Sequence, residues 1–186
     1  MSRRESSWLD EMVLVVIAAL IYLFSYLSSY QLSSLYEFSH STSWVYLPSG
    51  VRLLLVLILM EFGAIGIFLG TLTIDYYHHL SLNHAYNWIT ASVAGASAYL
   101  GLKIAQHGLK LRDDLSKLTQ WQLMQVCLIF SLVSPLMHQT WYWLHGDTEH
   151  FWYSVAVMAV GDLGGSVIVL GALYWALRLI RSLGVR

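Results

Sequence analysis

The chain has 186 residues, of which 57% are hydrophobic and 11% charged, and its formal net charge is -1. Ordinary soluble domains carry about 25% charged residues, so these charges are too few to cover a water-exposed surface, and a polytopic membrane protein is the leading class. The near-neutral balance gives no case for nucleic acid, and the single cysteine, Cys127, excludes an intrachain disulfide.

The first apolar stretch runs from Met12 to Leu27 behind the polar segment MSRRESSWLDE. It has no small-residue cleavage pattern and is too long for the core of a signal peptide, so it reads as a retained first span, roughly 12–30. Five further spans follow at about 45–60, 62–77, 86–106, 119–141 and 151–176, near or somewhat below the ~20 residues a bilayer requires. The second and third are short and almost contiguous around Glu61. The predicted fold is therefore an all-α membrane bundle of about six helices forming one domain. No repeat, linker or soluble domain is visible.

The basic residues sort by connection. Arg3 and Arg4 precede the first span, Lys103, Lys110, Arg112 and Lys117 flank the fourth connection, and Arg178, Arg181 and Arg186 follow the sixth span. Segments 31–44, 78–85 and 142–150 contain no Lys or Arg. The positive-inside rule then places both termini in the cytoplasm. The outer face is predicted to collect His40, His78, His79, His84, His138, His145 and His150, with Glu37, Asp75, Asp147 and Glu149. Trp44, Trp88, Trp141, Trp143 and Trp152 fall there too, as an interfacial belt explains.

Within the second span, Pro48 suits a helix start, Ser49 and Gly50 allow close approach, and Arg52 follows one turn in. An ionisable side chain in the bilayer is costly unless paired or facing a cavity, which makes Arg52 a functional candidate. It is expected in the outer third of the membrane. Three roles fit: a permanent tie to a buried acid, snorkelling to the headgroups, or direct contact with a ligand entering near Trp44. The candidate acid partners are Asp75 and Asp162, with a bound anion as the next possibility.

Asp162 lies about eleven residues into the sixth span, roughly 16 Å deep, where it must be paired, protonated or in a wet cavity. Gly161, Gly164 and Gly165 beside it allow another helix to approach, and Gly66 with Gly70 forms a GxxxG face that suits internal packing. Metal binding is a weaker possibility. His78 and His79 are adjacent and diverge by about 100° on a helix, and His84, His138, His145 and His150 show no ligand spacing. They read as polar residues at an interface or as a pH-responsive group. No nucleophile elbow, phosphate loop, CxxC or haem-ligand pair appears, so neither an enzyme nor a cofactor is expected.

The segment Leu47-Pro48-Ser49-Gly50-Val51-Arg52, followed by Gly63 and Gly66-Ile67-Phe68-Leu69-Gly70, resembles the first type of bacterial membrane-associated sensor domain. Trp152 and Gly161-Asp162-Leu163-Gly164 resemble that family's closing segment. The resemblance spreads over about residues 45–175 and points to Pro48, Gly50, Arg52, Asp162 and Gly164. It implies an integral input module of a bacterial inner membrane that binds a small ligand or ion at its outer face. Members of that family often have eight spans and precede kinase or cyclic-dinucleotide domains. This chain stops about ten residues after its sixth predicted span, so the expected signalling partner is a separate cytoplasmic or membrane protein. Two other classes remain open: a substrate-binding subunit of an energy-coupling-factor transporter, which the span number also resembles, and a non-catalytic accessory subunit of a membrane complex.

Overall fold

The computed structural model describes residues 8–33, 37–39, 42–43, 46–77, 83–112, 115 and 118–182. Six helices dominate. They are α1 (Trp8–Ser33), α2 (Leu47–Leu59), α3 (Glu61–Tyr77), α4 (His84–Gly108), α5 (Gln120–His145) and α6 (Phe151–Ser182). Between α1 and α2 two short antiparallel strands, β1 (Glu37–Ser39) and β2 (Thr42–Ser43), form a hairpin that the sequence reading left as a connection.

Three helical segments are long and apolar enough to cross a membrane: Trp8–Ser29, Gln120–His145 and Phe151–Ile180. The molecule's polarity is inverted to match. On α1 Val13, Val16, Ile17, Leu20 and Phe24 are exposed, whereas Ala18 and Tyr22 are buried. Beside an apolar core that includes Leu53, Val56, Ile67, Leu102 and Phe130, the interior holds polar side chains, among them Ser49, Arg52, Thr71, Asp75, Ser134, His138 and Asp162. Lipid solvates the first set as well as a core would, so the apolar residues need not be inside.

The packing follows the small residues. Helix α1 lies on α3, α3 on α4, α4 on α5 and α5 on α6, while α2 packs against α6, α1, α3 and α4 and so occupies the middle. A side chain added at Gly66 would strike Ala18 and Ala19 of α1, and one at Gly70 would come within 2.7 Å of the Tyr22 ring. The GxxxG face of α3 is thus an internal seam. Gly95 of α4 meets the Ala64 carbonyl of α3 in the same way, at 2.6 Å from the position a β-carbon would take.

Helix ends account for the connections. Thr119 and Gln122 form a capping box that starts α5, and Gly146, with φ of 84°, ends it in the left-handed conformation. Asn83 caps α4 by accepting from the Ala85 N–H at 3.0 Å. Between α2 and α3 there is almost no loop. Met60 alone turns the chain, with φ 53° and ψ -123°, a conformation of high cost for a residue with a side chain.

At 13 residues, α2 is about 20 Å long, shorter than the hydrocarbon core of about 30 Å. It also starts deep. The Tyr46 N–H donates to the Gly161 carbonyl at 3.1 Å, and Gly161 lies ten residues into α6. The helix therefore begins about a third of the way along α6 and runs beside its middle.

Candidate functional site

The depth of α2 decides what Arg52 can meet. Gly161 and Gly165 of α6 stand four residues apart on one face, and the first turn of α2 lies directly on them. A side chain at Gly165 would strike the Tyr46 carbonyl, and one at Gly50 would strike the Gly165 carbonyl. Pro48 carries no N–H, which removes one donor that a helix start would otherwise leave unpaired in a dry place. The Ser49 hydroxyl donates to the Tyr46 carbonyl at 2.8 Å, with the Asp162 carbonyl 3.0 Å away. The Leu-Pro-Ser-Gly turn thus seats α2 on α6 and aims Arg52 into the bundle.

Arg52 is 2% exposed and Asp162 is wholly buried. One Arg52 Nη nitrogen donates to Asp162 Oδ2 at 3.2 Å and to Ser134 Oγ at 3.1 Å. The other Nη lies 3.5 Å from His138 Nε2. His138 Nδ1 sits 2.8 Å from the Ser134 carbonyl oxygen, which can only accept. Nδ1 therefore carries the proton, and Nε2 presents its lone pair to the guanidinium. The guanidinium carbon lies 5.9 Å from the Tyr46 ring centroid and 5.7 Å from that of Phe130, within cation–π range.

One cation thus joins three helices, α2 through Arg52, α5 through Ser134 and His138, and α6 through Asp162. Two polar atoms of the group, Arg52 Nε and Asp162 Oδ1, have no hydrogen-bond partner among the described residues. The pair is monodentate, so the buried charges balance but the donors and acceptors do not. Such a tie fixes register and orientation more than it adds net stability.

This geometry selects among the roles open to Arg52. Asp162, and not Asp75, is its acid. Asp162 follows the start of α6 by eleven residues, and Ser134 precedes the end of α5 by eleven. Both lie about 16 Å below the connection that joins these helices. Arg52 meets Asp162 there because the first turn of α2 packs on α6 at Gly161 and Gly165.

His138 joins the tie as well. It is 5% exposed, seven residues before the end of α5, with both ring nitrogens engaged at the tie. The sequence reading did not foresee Ser134 or His138 as partners of Arg52. Ser134 and His138 are spaced i, i+4 on one helical face, which was the signal available. Pro135 between them cannot donate to the carbonyl of Ser131, so α5 lacks one helical hydrogen bond where the tie is made.

The remaining candidates lie elsewhere. Asp75 is on α3, two residues from its end, and is 4% exposed. Gly161 is buried and Gly164 half-buried beside Asp162. His84 Nδ1 is 3.0 Å from the Tyr76 hydroxyl. His145 stacks at 4.7 Å on Tyr86 and 4.5 Å on Trp141, and the Tyr86 hydroxyl donates to Asp147 at 2.7 Å. His150 is exposed beyond α5. Among the described residues no three His, Cys, Asp or Glu side chains are placed to share a metal ion. Trp44 and His78 lie outside the described residues.

Comparisons with protein-family models, curated proteins and solved structures find no match for this chain.

Proposed function

We propose that this protein is a non-catalytic, sensor-like module of a bacterial inner membrane, which takes up a small ligand or ion from the outer side and signals through a separate partner. The observation that carries the reading is the Arg52 tie, which couples a short central helix to α5 and α6 at mid-depth. A buried polar contact that breaks or forms as a unit gives a packed bundle two discrete arrangements. A ligand shifts them if it binds one more tightly than the other. Both Nη nitrogens of Arg52 are taken by protein groups, so in this reading it transmits the change and does not touch the ligand.

All six helices pass through the membrane in this proposal, with α2 and α3 as a tight hairpin and both termini in the cytoplasm. Supporting this are the exposed apolar face of α1 and the placement of every Lys and Arg except Arg52 and Lys103 at the termini or in the fourth connection. Helix α4, at 25 residues, is about 37 Å long.

The test is photo-crosslinking in the native host from position 112, in the connection between α4 and α5. The sensor reading expects capture of a kinase, cyclase or phosphodiesterase whose output changes with Arg52→Leu. Capture of paired ATPases with a coupling membrane protein assigns transport instead, and capture of neither class removes the sensor reading.

A further inference from the structure

Above the tie, α3 turns an unusual face inward. Ile67, Thr71, Ile74 and Asp75 are all buried and follow one another at helical spacing. Thr71 is 8% exposed and Asp75 4%, and Thr71 Oγ1 and Asp75 Oδ2 have no hydrogen-bond partner among the described residues.

The Thr71 hydroxyl is the more telling of the two. A helical Ser or Thr in an apolar setting ordinarily donates to the carbonyl one turn back. Thr73 does so to Leu69 at 2.8 Å, Ser92 to Trp88 at 2.7 Å and Thr140 to Leu136 at 2.6 Å. Thr71 makes no such bond, and it stands one turn from a buried carboxylate that forms no ion pair with any described Lys, Arg or His. Arg52, the buried cation, is committed to Asp162.

Among the described residues, the titratable groups that sense the Asp75 charge are phenols. Tyr142 of α5 and Tyr86 of α4 lie within electrostatic reach of it, and Tyr142 also feels Tyr22 of α1, Arg52 and Asp147. The nearer histidines are engaged elsewhere, His84 with Tyr76 and His145 with Tyr86 and Trp141.

We infer that Asp75 and Thr71 form the ion site of the module, taking a small monovalent cation, either a proton or an alkali ion, from the outer side. Carboxylate and hydroxyl oxygens suit a hard cation. A single carboxylate matches one positive charge, whereas a divalent ion draws on more. Asp75 lies two residues from the outer end of α3, so the ion has a short path. Neutralising Asp75 removes an uncompensated buried charge from the helix that leads through Met60 into α2. The inference rests on the sensor reading and gives that reading its ligand.

The test is thermal unfolding of the purified full chain in nanodiscs. Sodium chloride is titrated against choline chloride at constant ionic strength and fixed pH, and pH is then varied in choline chloride alone. The wild type is expected to gain stability saturably. Asp75→Asn is expected to lose that response and to unfold near the temperature of the cation-loaded wild type. Thr71→Val is expected to weaken the apparent affinity severalfold. A sodium response at fixed pH assigns an alkali ion. A response to acidification alone, with a carboxyl infrared band absent from Asp75→Asn, assigns a proton. Equal responses of wild type and Asp75→Asn, or no response of the wild type to either cation, overturn the site. If Asp75→Asn does not fold, the comparison of wild type with Thr71→Val decides. A cation response without a crosslinked signalling partner keeps the site and removes the sensor reading, and the reverse result does the opposite.

Discussion

Arg52 is held at mid-depth by partners from two other helices, and each contact has a different character. Asp162 supplies the charge, Ser134 a neutral acceptor, and His138 a lone pair fixed by the bond its other nitrogen makes. Removing one partner of a buried pair leaves the other charged and unsolvated, at a cost of about 3–5 kcal/mol. Arg52→Leu and Asp162→Leu are therefore each expected to destabilise by that order. The double substitution leaves no charge behind and is expected to be less damaging than either single one. Equilibrium unfolding of the four proteins as a double-mutant cycle measures this, and additive losses would show that the two residues act independently. Arg52→Lys keeps the charge but lacks the planar fork that reaches Asp162, Ser134 and His138 together.

At the scale of elements, the deciding contact is α2 on α6, where the Tyr46 carbonyl rests on Gly165 and the Gly165 carbonyl on Gly50. Gly165→Ala is expected to cost about 1–3 kcal/mol, because backbone and not a flexible side chain occupies the space. Gly171→Ala, with nothing near its added carbon, is the control and is expected to be neutral or slightly stabilising. Met60 offers the opposite case. Its φ of 53° and ψ of -123° suit glycine, so Met60→Gly is expected to gain on the order of 1 kcal/mol in unfolding experiments. These contacts also show what the sequence could disclose. The glycine faces at Gly66/Gly70 and Gly161/Gly165 were legible as helix seams, and the helical runs lie within a few residues of where hydropathy puts them. The level at which α2 begins was not legible. It is set by one backbone hydrogen bond, Tyr46 to Gly161, between residues 115 positions apart. The depth of Arg52, the choice of Asp162 over Asp75 and the recruitment of His138 all follow from that level, and hydropathy carries no information on it.

Over the whole molecule, an apolar exterior surrounds an interior that mixes an apolar core with buried polar side chains, and most basic residues gather where the amino terminus, the α4–α5 connection and the end of α6 lie. If all six helices cross, these three regions share one side of the membrane and the connections after α1, α3 and α5 share the other. Cys127 is buried, so Cys127→Ser gives a background in which single cysteines report topology. Thr148→Cys, in the α5–α6 connection, is expected to react with an impermeant maleimide on intact cells. Lys110→Cys, beyond α4, is expected to react only after the membrane is opened. Labelling of both positions from outside would leave α5 on one side of the membrane and remove the six-span arrangement. Labelling as expected fixes the orientation of the tie. Arg52 then lies below an outer half that contains Asp75, Tyr86 and Tyr142 and whose connections lack Lys and Arg. A cation arriving from outside therefore meets an uncompensated carboxylate before it meets the fixed positive charge of Arg52, and that order is what a cation-responsive module requires.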